Sequence, residues 1–154
     1  MKQTFIALFI ILSIAASAAA ADTISAGVRA GGTAGESGFS TELFADYHLN
    51  RFISVGATMG YVMIDYKKVS SARRDESMPV TALAKLRLPL PLLQPYIGVG
   101  QAFIFRDRDA FTGSPVAVAG LEYSLLPFVF LNAEYRRQFN GRLNFIAGGV
   151  GLRF

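Results

Sequence analysis

Nine charged residues of this chain fall on one parity of alternating segments: Arg29, Lys85, Arg87, Arg136 and Arg153, with Glu42, Asp46, Glu122 and Glu134. Such nearly cancelling groups form a paired network if the segments carrying them face a common interior. An isolated buried charge is costly, and a partner offsets that cost. The alternative is the solvated face of an ordinary sheet.

Other reactive chemistry is sparse. The chain has no cysteine and one histidine, His48, so disulfides and thiol catalysis are excluded and a metal would find mainly carboxylates. Asp107 with Asp109 is too little for a calcium loop. No glycine-rich loop follows a strand and opens a helix as a phosphate cradle does, so no cofactor and no metal site are expected. A histidine-activated serine needs both side chains within hydrogen-bond reach. Ser70, Ser71 and Ser77 belong to a segment expected at the far end of the fold from His48, which reads as a solvated turn residue. No catalytic residue is assigned.

The nine charges must be positioned by strands, because the apolar residues around them recur with period two. Ile24, Ala26, Val28 and Ala30 oppose Ser25, Gly27 and Arg29; Phe39, Thr41, Leu43, Ala45 and Tyr47 oppose Ser40, Glu42, Phe44 and Asp46. The pattern returns from Ile53 to Met63, Val80 to Leu88, Ala117 to Leu125, Leu131 to Arg136 and Ile146 to Phe154. From Tyr96 to Phe105 it is ambiguous, because Gln101 shares its parity with Ile97, Val99 and Phe103; Tyr96, Gly98, Gly100 and Ala102 are expected to face outward. Turn-forming stretches at 32–38, 65–78, 106–114 and 138–141 make one set of connections, with Asn140-Gly141 suited to a tight type I′ hairpin. Those at 48–51, 89–94 and 126–127 make the other.

The fold class that follows is all-β, an eight-stranded antiparallel up-and-down transmembrane β-barrel. Strands of about ten residues suit a tilted bilayer crossing, and closure satisfies backbone groups that lipid cannot. A soluble barrel also alternates, but it is apolar inside and polar outside; here the minority face holds the charges. Aromatic residues gather at strand ends, with Tyr47, Phe52, Tyr96, Tyr123, Phe128 and Phe154 at one rim and Phe39, Tyr61, Tyr135 and Phe139 at the other. Two interfacial girdles account for this.

Residues 1–21 read as a cleaved signal peptide: Lys2, an apolar run from Phe5 to Ile14, then small residues offering Ala-x-Ala sites. A membrane anchor would need about 20 strongly apolar residues, and this run decays after Ile14. Residues 22–154 then make one barrel domain with 14 cations against 11 acids, a net +3. That excess is too mild to suggest a nucleic-acid partner.

The end of the chain, with Phe154 last, Leu152 two positions before and Gly149 three before that, resembles the C-terminal assembly signal of outer-membrane barrels. Ala147 departs from that signal's usual polar first position. The segments 95–100 (Pro-Tyr-Ile-Gly-Val-Gly) and 131–136 (Leu-Asn-Ala-Glu-Tyr-Arg) are similar to the eight-stranded outer membrane protein A and opacity-protein superfamily. The resemblance implies a monomeric integral protein of a Gram-negative outer membrane, with a structural, adhesive or lipopolysaccharide-contacting role and no catalytic activity. Its implied partners are outer-membrane lipids, lipopolysaccharide and, through the last strand, the barrel assembly machinery. Lys67, Lys68, Arg73 and Arg74, in the 65–78 connection, would then lie beside lipopolysaccharide phosphates, which cations bind.

A narrow gated pore is the alternative, since resembling barrels are argued to gate by exchanging interior ion pairs, although eight strands enclose a space just filled by side chains. A lipid A-modifying enzyme ranks lower. The His-x-Ser arrangement of the deacylase group is missing, because Asn50 stands where its serine would fall.

Overall fold

The computed structural model describes residues 23–34, 37–68, 71–106, 109–140 and 143–154, with side chains at 23–34, 38–64, 76–105, 113–140 and 143–154. The signal-peptide reading of 1–21 and Gly141 of the expected tight turn lie outside the described residues.

The alternating segments form eight strands: β1 (Ile24–Ala34), β2 (Ser37–His48), β3 (Ile53–Lys68), β4 (Ser71–Arg87), β5 (Leu93–Arg106), β6 (Asp109–Leu126), β7 (Val129–Gln138) and β8 (Leu143–Arg153). Each pairs antiparallel with the next and β8 returns to β1, closing the barrel. Closure abolishes the unpaired strand edge, the condition for β-structure to stand in lipid. At the rim that carries the chain ends, the Phe154 N–H donates to the Ile24 carbonyl at 2.8 Å.

A walk across paired positions from Ile24 passes through Tyr47, Val55, Ala84, Val99, Ala117, Arg137 and Asn144 and lands on Ala34. Start and finish on β1 are ten residues apart, a stagger that tilts eight strands by roughly 40°. The outer wall is apolar, with Ile97, Val99 and Ile146 each at least 60% exposed, while Arg29, Lys85 and Glu122 are at most 2% exposed.

Two expectations are corrected. β5 faces the opposite way from that expected: Tyr96 and Ala102 are buried, and Ile97 and Val99 stand outward. The register enforces this, since Lys85 pairs with Gly98 and Tyr96 with Gly120, all on the inner face. Tyr96 therefore leaves the girdle in which it was expected, whereas Tyr47, Phe52, Tyr123 and Phe128 remain exposed.

The connections at 65–78 and 106–114 are also mostly strand. Asp65 pairs with Arg74 and Lys67 with Ala72, and Arg106 pairs with Asp109. Beyond the bilayer both faces of a hairpin meet water, so backbone pairing continues after the hydropathy alternation that reveals it has gone.

Large inner side chains are admitted by glycines on the neighbouring strand. A Cβ at Gly120 would strike the Tyr96 ring, and one at Gly151 the Phe130 ring. Two apolar clusters also line the interior. Leu83, Ala102, Val116 and Val118 join Tyr96 along the β4–β6 wall, and Val62, Ile64 and Phe145 pack with Leu143 toward the far rim.

Candidate functional site

Strand alternation turns Leu131, Ala133 and Tyr135 of β7 outward, and with the same stroke turns Asn132, Glu134 and Arg136 inward. Repeated around the barrel, this gathers the nine charged residues singled out by parity into one interior. They form two groups.

Near the chain-end rim, Glu122 accepts from both terminal nitrogens of Arg87, at 2.9 and 2.8 Å, and from Arg153 Nη2 at 2.9 Å. Asp46 accepts from Lys85 Nζ at 2.8 Å and from Arg87 Nη2 at 3.4 Å. Arg153, the cation nearest the mouth, also donates to Gln94 and Ser124. Deeper in, Glu42 takes Arg136 through two bonds, at 2.9 and 3.1 Å, and Arg29 at 3.1 Å. Glu134 takes Arg136 at 2.8 Å and Arg29 at 2.5 Å.

The two groups meet at Tyr96. Lys85 Nζ lies 5.0 Å and Arg87 Cζ 5.7 Å from its ring centre. Its hydroxyl donates to Glu134 at 2.8 Å and accepts from Asn132 at 3.0 Å. Phe44 and Phe130 add a second junction, their rings 6.1 Å apart, with Arg29 stacked over the first and Arg153 over the second.

Each of the four carboxylates is thus shared by two cations. Most of the ties run between strands that are not neighbours, such as β2 to β7 through Glu42 and Arg136 and β4 to β6 through Arg87 and Glu122, while Arg29–Glu42 joins adjacent β1 and β2 and Glu134–Arg136 lies within β7. Chemically the cluster is a set of struts across the lumen. Taking away Asp46 would strand Lys85, and taking away Glu122 would strand Arg153, and breaking a buried pair in this way costs about 3–5 kcal/mol.

Four further residues of the interior were not named as site residues from the sequence. Asn132 and Ser25 lie on the inward parity expected of them, but carry no charge to single them out. Tyr96 was lost with the facing of β5. The fourth is His48, which meets Ser25. His48 is not a solvated turn residue; it closes β2, half-buried, with Nε2 3.1 Å from Ser25 Oγ. Ser25 itself is fully buried.

Of the other residues singled out, Gly149 faces inward between Arg29 and Asn132, its paired neighbours. Leu152 faces outward and Phe154 follows the end of β8. The side chains of Lys67, Lys68, Arg73 and Arg74 lie outside the described residues; their backbone belongs to the β3–β4 hairpin. Asp107 lies outside them too. Among the described residues no group of three or more histidines and acids could hold a metal ion.

A family model described as the outer membrane protein beta-barrel domain matches residues 5–154. Among solved structures, a de novo designed transmembrane β-barrel superposes with a TM-score of 0.65 at 21% identity, covering 86% of this chain and 96% of that one. Neisserial surface protein A gives 0.61 at 18%, covering 85% and 96%. Ail, the attachment invasion locus protein of Yersinia pestis, gives 0.54 at 18%, covering 85% and 96%; it has also been solved in complex with the heparin analogue sucrose octasulfate. At these identities the likeness is one of fold. A search of curated proteins returns no match.

Proposed function

We propose, from the premise that the chain belongs to the outer membrane protein β-barrel domain family, that it is a non-catalytic integral protein of a Gram-negative outer membrane with a structural, adhesive or lipopolysaccharide-contacting role. The observation that carries this reading is the filled lumen: cross-strand ion pairs tie it near one rim, and Val62, Ile64 and Phe145 pack it toward the other. A barrel so filled presents its outer wall and its far-rim hairpins to the surroundings, and those surfaces are where its role lies.

In this reading residues 1–21 are removed on export and 22–154 form the membrane domain. Gly149, Leu152 and Phe154 form the strand signal read by the assembly machinery. The β3–β4 hairpin, with Lys67, Lys68, Arg73 and Arg74, contacts lipopolysaccharide or another polyanion. The structure of Ail, a barrel of the same fold, in complex with the heparin analogue sucrose octasulfate supports looking for anionic ligands. Catalysis is disfavoured by the burial of Ser25, the hydroxyl within reach of His48. The test is lipopolysaccharide binding by the folded protein. Exchanging the four hairpin cations for alanine is expected to weaken it, and unchanged binding would remove the hairpin from the reading.

A narrow gated pore is the second reading, favoured by the sharing of Asp46 between Lys85 and Arg87, which lets a cation change partners within the network. Ions would still have to pass the apolar packing of Val62, Ile64 and Phe145, a barrier of the dewetting type. Planar-bilayer recordings without conductance above background would reject it.

A further inference from the structure

Among the residues whose side chains are described, the outward faces of the strands carry two charges: Glu76 on β4 and Arg137 on β7, the latter within the far-rim girdle. Arg137 is the immediate neighbour of Arg136, and alternation sends them opposite ways, Arg136 into the carboxylate network and Arg137 out to the wall. There it stands between two aromatics of the far-rim girdle. Tyr135 and Phe139 are both exposed, and the guanidinium lies 5.6 Å from the centre of the Phe139 ring. Asn144, its paired residue on β8, has its amide oxygen engaged by the Tyr135 hydroxyl at 3.0 Å. What Asn144 can offer beside Arg137 is therefore its N–H donors. Among the residues whose side chains are described, no carboxylate forms an ion pair with Arg137.

We propose that Arg137, Asn144 and the flanking rings of Tyr135 and Phe139 form a binding site on the barrel wall for a phosphate group of outer-leaflet lipopolysaccharide. A cation facing lipid is disfavoured at the bilayer midplane and tolerated near the interface, which is the level the two rings mark. A guanidinium held over a ring presents a planar fork suited to two phosphate oxygens. The occupant must approach from the lipid side, since the site is on the outer wall, and must be anionic. A phosphorylated outer-leaflet lipid meets both conditions. The inference rests on the outer-membrane reading above and moves the contact from the hairpin tip to the wall.

The test is retention of lipopolysaccharide by the purified, detergent-solubilised full-length protein, with heat-modifiable migration as the check that each variant is folded. Arg137→Ala is expected to retain roughly tenfold less lipopolysaccharide, the size of one lost charge-assisted contact, and Arg137→Lys to recover part of it. Lipopolysaccharide stripped of its lipid A phosphates should bind the wild type and Arg137→Ala alike. A folded Arg137→Ala variant that retains as much as the wild type would overturn the site. A fourfold alanine variant of Lys67, Lys68, Arg73 and Arg74 separates the two readings. Loss in that variant alone leaves the hairpin contact and rejects the wall site; loss in Arg137→Ala alone supports the wall site and rejects the hairpin.

Discussion

Within the lumen, each charged residue is defined by the partner it would strand. Glu122 is the clearest case, since it receives Arg87 through two bonds and Arg153 through a third. Glu122→Gln keeps the shape and removes the charge, so Arg153 loses its counter-ion and Arg87 is left with Asp46 alone; the expected loss of stability is about 3–5 kcal/mol, read from the urea midpoint of the folded barrel in lipid vesicles. Tyr96→Phe is milder. It removes one hydroxyl from between Glu134 and Asn132, and about 1–3 kcal/mol is expected by the same measurement. The charged members of this network were legible because a charge recurring on one parity has a single economical explanation. The tyrosine was not, since an aromatic is as much at home in an interfacial girdle as in a lumen.

β5 shows what periodicity cannot decide by itself. Both of its faces are apolar or small, and Gln101 stands on the outward one, so hydropathy pointed the wrong way. Glycine carried the answer. Gly56, Gly60, Gly149 and Gly151 share a parity with the inward residues of β3 and β8, where they make room for side chains on neighbouring strands, and Gly98 and Gly100 follow the same rule beside Lys85 and Leu83. The facing is testable through cost. Val99→Arg should destabilise the barrel by about 2–4 kcal/mol if Val99 meets lipid, and a cost near zero would contradict that facing. The far-rim hairpins were misread for a different reason, because strand pairing above the bilayer leaves no alternating signature in the sequence.

For the molecule as a whole, the central claim is inverted polarity: a closed barrel with charges inside and hydrocarbon-facing side chains outside. The eight strands, their up-and-down order and both rims followed from the sequence, because lipid imposes period two on every crossing. Heat-modifiable migration in detergent gels is expected, since closure makes unfolding cooperative. That observation reports a barrel without reporting which side is wet.

The direct measurement uses the absence of tryptophan from the chain, which makes any introduced indole a unique probe. Phe130 and Leu131 are adjacent on β7, the first fully buried and the second exposed. With the protein in bilayers of brominated lipid, the fluorescence of Leu131→Trp should be strongly quenched and that of Phe130→Trp nearly untouched. Equal quenching of the two, or stronger quenching at position 130, would contradict the account.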